Sequence, residues 1–169
     1  MSYPDPSYPD VRYHGQGGEP SAWLRTADHP PEIDSPTPGQ SAHYLATGAS
    51  TGGDFGLYRW NMGAHPSGPG PHFHRTMSES FFVLEGSVRL YDGQRWLDAG
   101  AGDFLHVPPG GVHGFRNESG TPASMLILFT PGAPREAYFE GLAAVAAGTR
   151  TMTDEERLAF LEAHDNYFV

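Results

Sequence analysis

The sequence predicts an all-β domain of short antiparallel strands, closed into a sandwich or barrel and followed by terminal helices. Short apolar runs punctuated by Gly and Pro fill most of the chain, and helical periodicity appears only after Pro131-Gly132. Strands first and helices last, without alternation, argue against a parallel α/β sheet. The 169 residues include 22 glycines and 16 prolines, the excess that many tight turns require. The length is that of one domain able to bury a sizeable core.

Along the chain, residues 1–20 read as a flexible tail. Ser2-Tyr3-Pro4-Asp5 recurs as Ser7-Tyr8-Pro9-Asp10, and proline at this density opposes both helix and ladder pairing. A short strand is expected over Ala22 to Arg25, then an irregular loop over residues 28–40, with prolines at 30, 31, 36 and 38. Strands follow near His43 to Thr47 and over Phe55 to Met62. Glu79 to Leu84 is apolar and aromatic enough for a buried strand. Asp92-Gly93 between Val88 to Tyr91 and Gln94 to Leu97 signals a two-residue hairpin. That register pairs Tyr91 with Gln94, Val88 with Leu97 and Arg89 with Trp96, the last a guanidinium on an indole. Phe104 to Val107 is the next strand, stopped by Pro108-Pro109, and Val112 to Arg116 resumes after Gly110-Gly111. Ser124 to Phe129 is a continuous apolar run, expected to be buried on both faces. Arg135 to Ala147 has Tyr138, Leu142 and Val145 at helical spacing, and Thr153-Asp154-Glu155-Glu156 is a capping box opening a second helix through about Ala163.

Composition excludes several functions. With no cysteine there are no disulfides, thiolate ligands or thiol nucleophiles. All ten basic side chains are arginines, so Schiff-base chemistry has no lysine. A net charge of −10 without a basic cluster argues against nucleic acid or an acidic membrane as partner. The start of the chain lacks a charged and apolar leader, and no apolar run approaches a membrane span, so a cytoplasmic protein is expected.

The chemistry concentrates between Pro71 and Asn117. His72 and His74 are two apart, Glu79 lies five further on, and His113 follows downstream. Three imidazoles and a carboxylate are a common ligand set for one divalent transition ion: iron, manganese, nickel, cobalt, copper or zinc. In an extended chain, positions two apart share a face, so His72 and His74 can meet one ion while Phe73 points away. Four such ligands leave positions open on a six-coordinate ion, as catalysis needs. Glu79 is the candidate catalytic base as well as a ligand. His106 shares strand parity with Phe104, and the two are expected to line a substrate pocket with Phe81, Phe115, Tyr58 and Trp60. The strand over Tyr58, Trp60 and Met62 must turn either that set or Leu57, Arg59 and Asn61 inward. His65 reads as solvent-facing, and His14, His29, His43 and His164 carry no signal. Asn117 is expected to serve a turn or a backbone hydrogen bond.

These residues also resemble the cupin family. His72-x-His74, four residues, Glu79, six residues and Gly86 is similar to the first cupin motif. Gly102, five residues, Pro108-x-Gly110, two residues, His113, three residues and Asn117 is similar to the second. Fifteen residues separate Gly86 from Gly102, the short spacing of compact microbial members. The family's first motif opens with a glycine where this chain has Pro66, with Gly68 and Gly70 nearby. The resemblance implies a double-stranded β-helix, or jelly roll, with the metal inside a barrel over residues 21–132. Residues 133–169 would be a C-terminal helical extension packed on it. Pro131-Gly132 through Phe139 and Leu142 also resembles the segment after the barrel in quercetin-dioxygenase-like cupins. The implied function is a dioxygenase-like oxidoreductase acting on a small enolic or phenolic substrate. The alternatives are a non-oxidative cyclase, isomerase or lyase, and a small-molecule binding module without turnover. A homodimer is expected, because such barrels expose sheet edges that pairing covers.

Overall fold

The computed structural model describes residues 8–169. The first Ser-Tyr-Pro-Asp unit and Ser7 lie outside them, and residues 8–20 form neither helix nor strand. The strand expected over Ala22 to Arg25 does not form. Trp23 and Leu24 are exposed there, and Arg25 instead reaches Glu32 (2.9 Å), whose carboxylate also accepts the Tyr44 N–H (2.7 Å). The segment expected to be irregular contains a strand, β1 (Ile33–Asp34), which pairs antiparallel with β2 (Ser41–Ala46).

The chain continues through β3 (Gly56–Met62), β4 (His72–Phe73), β5 (Ser78–Glu85), β6 (Ser87–Tyr91) and β7 (Trp96–Gly100). It then forms β8 (Phe104–Val107), β9 (Gly114–Arg116) and β10 (Ala123–Thr130), followed by α1 (Glu136–Ala146), α2 (Asp154–Ala163) and β11 (Tyr167–Phe168). One sheet has the order β1-β2-β3-β10-β5-β8, and a facing sheet runs β7-β6-β9. Bridges His72↔His113 and Ser67↔Asn117 extend the second face to β4, which pairs on its other side with β11. All of these pairings are antiparallel, and together they make the expected double-stranded β-helix. Among the described residues, no helix is long and apolar enough to cross a membrane.

Inward residues from both faces form one core that includes Phe81, Val83, Val88, Leu90, Met125 and Ile127. Each such side chain contributes on the order of 1.5–3 kcal/mol by leaving water. In β10 the core set is Met125, Ile127 and Phe129, whereas Leu126 and Leu128 are half-buried. The apolar run is therefore one inner face and one partly covered outer face. On the outer face, Phe82 and Phe104 are cross-strand partners at the β8 edge and both are exposed.

The hairpin turn falls one residue later than the sequence suggested. Gly93, with φ +93°, and Gln94 are central, and Asp92 pairs with Arg95. The Asp92 carboxylate accepts the Gln94 and Arg95 N–H groups (2.8 and 2.9 Å), which favours this turn. Every pair consequently moves by two: Tyr91 faces Trp96, Arg89 faces Asp98 and Val88 faces Ala99. Trp96 still receives cations, from Arg116 (4.5 Å) more closely than from Arg89 (5.9 Å).

The capping box of α2 forms as expected, with Thr153 Oγ1 accepting the Glu156 N–H and the Glu156 carboxylate accepting the Thr153 N–H. The buried face of α1 differs from the expected stripe. Tyr138, Phe139 and Gly141 are buried, while Leu142 and Val145 are substantially exposed.

In the loop before the ligands, Gly68 sits where the backbone requires a glycine. Its φ is +118°, and a Cβ there would stand 2.1 Å from the Phe115 carbonyl oxygen. Gly70, two residues on, has open space and no such φ. Gly68→Ala is expected to cost at least about 1–2 kcal/mol from the backbone conformation alone. In thermal melts this lowers Tm by about 2 °C or more for a chain of this size. Gly70→Ala is expected to stay within about 0.5 kcal/mol of the parent; equal melting of the two variants would refute the assignment.

Candidate metal centre

Backbone contacts aim each histidine before any ion is considered. His72 lies on β4, where its N–H donates to the His113 carbonyl and the His113 N–H donates back to the His72 carbonyl, both at 2.8 Å. This reciprocal pair joins the two motifs directly. His74 follows β4, and its carbonyl accepts the Gly110 N–H (2.7 Å), from the turn that launches His113. Glu79 projects inward from β5, between Phe129 of β10 and Val107 of β8.

The four side chains converge. His72, His74, Glu79 and His113 are all buried, and one ligand atom from each lies within 4.8 Å of the others. Atoms sharing one ion at ~2.1 Å stand ~3–4 Å apart, so side-chain adjustments on the order of 1 Å close the set. Each Nδ1–H is held by a backbone carbonyl: His72 by Gly70 (2.9 Å), His113 by Gly111 (2.9 Å) and His74 by Asp165. Such carbonyls fix the tautomer and leave Nε2 as the ligand atom.

The proton balance of this cluster calls for a cation. Nε2 of His74 and Nε2 of His113 each lie 2.8 Å from Glu79 Oε2, while their Nδ1 atoms already face carbonyls. A neutral imidazole has one proton and cannot donate from both nitrogens. Both rings must therefore be charged, in a buried site, or a metal ion must supply the positive charge between Nε2 and the carboxylate. The donor set and its carbonyl supports fit the second arrangement, and the cluster can hold one divalent transition ion.

The electrostatics have three parts. Burial and the neighbouring His113 charge hold His72 down at about 4. Burial opposes the charged His113 ring, but the Glu79 hydrogen bond and charge outweigh it and raise its pKa. Burial likewise opposes the Glu79 carboxylate, yet hydrogen bonds from His113 and His74 hold its pKa below the usual carboxylate range.

The C-terminal segment completes the wall, although sequence reasoning marked none of it. Phe168 of β11 pairs with His72 and stacks on its ring (5.1 Å, 26°). Asp165, at φ 57°, directs its carbonyl to His74 and its carboxylate to the N–H groups of Arg75 and Thr76 (2.9 Å each). Arg135, just before α1, is buried and lies over the rings of Tyr138 (4.4 Å) and Phe129 (5.0 Å). No local pattern betrays these contacts, because they are carbonyls and ring faces brought together from distant elements.

A cavity of about 460 Å³ opens beside the cluster, with His72 and Glu79 in its wall. Of the expected pocket residues, Trp60 and Phe115 line it. Tyr58 and Phe81 are fully buried in the core nearby: the Tyr58 hydroxyl donates to Glu136, and Phe81 packs against Phe115 (5.7 Å). Phe104 and His106 are corrections. Both point to the exposed face of β8, where His106 bonds the Ser80 hydroxyl (2.9 Å), while Leu105 and Val107 turn inward. The β3 parity resolves with Tyr58 and Met62 inside. His65 is exposed. Asn117 serves the backbone, with Nδ2 donating to the Gly63 and Thr121 carbonyls (2.9 and 2.8 Å).

Metal binding must compete with protons at the imidazoles. Because the His113 pKa is raised, His113 takes up a proton as pH falls, beginning above the ordinary value of about 6.5. The rise in Tm produced by a saturating divalent ion is therefore expected in full near pH 8. It should shrink through about pH 7 to 6 and vanish by about pH 5. A rise independent of pH, read by calorimetry on metal-loaded and chelated protein, would exclude imidazole ligation.

Comparison with known proteins agrees with this geometry. The model of the cupin domain matches residues 58–129. The chain is 38 % identical over 61 residues to quercetin 2,3-dioxygenase of Bacillus subtilis, a match covering 36 % of this chain and 18 % of that protein. Among solved structures, a predicted oxalate decarboxylase from Thermotoga maritima superposes with TM-score 0.56 at 20 % identity, covering 65 % of this chain and 99 % of that one. KdgF from Halomonas sp. gives 0.54 at 16 %, with 65 % and 93 % covered. The polyketide cyclase RemF from Streptomyces resistomycificus gives 0.52 at 24 %, with 64 % and 78 % covered. At these identities the likeness is one of fold. Two motifs in order, a β-helix built around them and a matching domain model make residues 58–129 a cupin domain.

Proposed function

We propose that this protein is a metal-dependent oxidoreductase of the dioxygenase type, acting on a small enolic or phenolic substrate. The observation that carries the reading is the cavity: the ligand cluster borders a partly open space of a size that suits a small organic molecule, so the ion would be reachable. The walls suit a flat ring, with Trp60, Phe115, Phe129, Tyr138 and Phe139 among them. The stretch of identity with a quercetin 2,3-dioxygenase supports the oxidative choice.

A bound divalent ion would supply Lewis acidity toward the substrate oxygen and, if redox-active, access to dioxygen. His72, His74 and His113 would hold it through Nε2 and Glu79 through its carboxylate. Glu79 has a second role in this reading. Its Oε2 receives both imidazoles, no described hydrogen bond engages Oε1, and the residue lines the cavity. Oε1 is therefore the atom placed to take the enol or phenol proton. The aromatic walls would orient the ring and exclude water from the reacting face.

Protein reconstituted with iron, manganese, nickel, cobalt or copper is expected to consume oxygen with flavonols, enediols or catechols in an electrode assay. Glu79→Gln should lower kcat about 10²–10⁴-fold while the substrate still binds. Turnover without oxygen uptake, on zinc-containing protein, would replace this reading with a non-oxidative cyclase, isomerase or lyase. An unchanged ligand with no turnover under any metal would make the protein a binding module.

Pairing of two chains belongs to the same reading, since Phe82 and Phe104 leave an apolar patch on the open β8 edge. Sedimentation equilibrium should give twice the 18.3 kDa chain mass, and Phe104→Glu should return it to 18.3 kDa. A wild-type monomer refutes the pairing.

A further inference from the structure

Arg135 occupies the position before α1, where a small polar residue would cap the helix, and it makes no capping bond. Its side chain turns inward, 3 % exposed, and lines the cavity together with His72 and Glu79. Of the five guanidinium N–H groups, one on Nη1 donates to the His164 carbonyl and one on Nη2 to Asn166 Oδ1 (3.2 Å). The Nε–H is buried and meets no acceptor. Both partners are neutral, and no carboxylate lies at ion-pairing distance from Arg135 among the described residues. A buried cation normally has an acidic partner, because leaving water is costly for it. The stacked Tyr138 and Phe129 rings stabilise a flat cation but do not neutralise it.

The rest of the cavity points the same way. Arg157 of α2 also borders it and takes part in no described ion pair, while among the described residues the one acid in its wall is Glu79. Glu79 is already engaged by His74 and His113, and a divalent ion there would outweigh its single charge. A chain of net charge −10 thus surrounds a cavity whose own balance is positive.

We propose that the substrate is an anion: a small aromatic or enolic carboxylate, drawn in past Arg157 and held by its carboxylate on Arg135. This deepens the reading above and rests on the cavity being the substrate site. The guanidinium is a planar fork with donors to spare, which matches a carboxylate in two-point contact. Arg135 would then orient the substrate so that its enol or phenol oxygen faces Glu79 and the metal ligands.

The test is equilibrium binding to chelator-treated protein, so that neither metal nor oxygen enters. Benzoate, phenylacetate and 3-phenylpropanoate are titrated against their neutral amides, with calorimetry or tryptophan fluorescence as the readout. At least one acid is expected to bind about tenfold or more tightly than its amide, the worth of a charge-assisted pair. Arg135→Gln should erase this preference. Arg157→Gln, an exposed change, should keep the fold and the preference but slow association. Thermal melting establishes whether Arg135→Gln is folded; if it is not, the wild-type comparison alone decides. Equal binding of acid and amide, no binding of any acid, or an acid preference surviving in folded Arg135→Gln each overturns the proposal. Failure of oxygen uptake with a persisting acid preference would instead overturn the dioxygenase reading and leave this one standing.

Discussion

The reciprocal backbone hydrogen bonds between His72 and His113 are the contact on which the rest of the structure depends. They join a two-residue strand from the first motif to the end of the second, and so bring ligands from distant parts of the chain to one point. Neither partner is free to drift. β11 holds the other edge of β4, and β6 holds the continuation of His113 through Leu90 and Phe115. The His72 and His113 imidazoles are then aimed by carbonyls from their own neighbourhood, which need no partner side chain and survive most surface substitutions, while His74 is aimed by the distant Asp165 carbonyl.

Chemistry follows from what this geometry leaves unbalanced. Two rings present N–H donors to carbonyls and also face a carboxylate, so the buried cluster calls for a cation. A guanidinium in the same cavity calls for an anion. Both demands come from polar groups that burial has stripped of water, and in the proposed reading small species rather than further protein would meet them. The aromatic wall between them provides the apolar surface that a ring would cover.

Much of this was legible in the sequence, for identifiable reasons. His72 and His74 could be read because a two-residue spacing has one meaning in an extended chain. The turns after Val107 and before Val112 could be read because Pro and Gly punctuate locally. Parity at β8 was misread: alternation yields two sets of residues, and the apolar pair Leu105 and Val107 was the better inward signal than Phe104 with His106. The hairpin slipped because the Asp92 side chain chose which residues turn, and one residue of turn displaces every pair by two. Arg135, Asp165 and β11 were not legible at all. Their roles depend on tertiary neighbours, and a strand as short as Tyr167–Phe168 has no periodicity to detect.

The most direct test of the account is anomalous diffraction from crystals of the metal-loaded protein. The account predicts one ion per chain, bonded at about 2.0–2.2 Å to Nε2 of His72, His74 and His113 and to the Glu79 carboxylate. At least one coordination position should face the cavity bordered by Trp60 and Arg135. An ion held elsewhere, or one in this cluster with every position closed by protein, would contradict it.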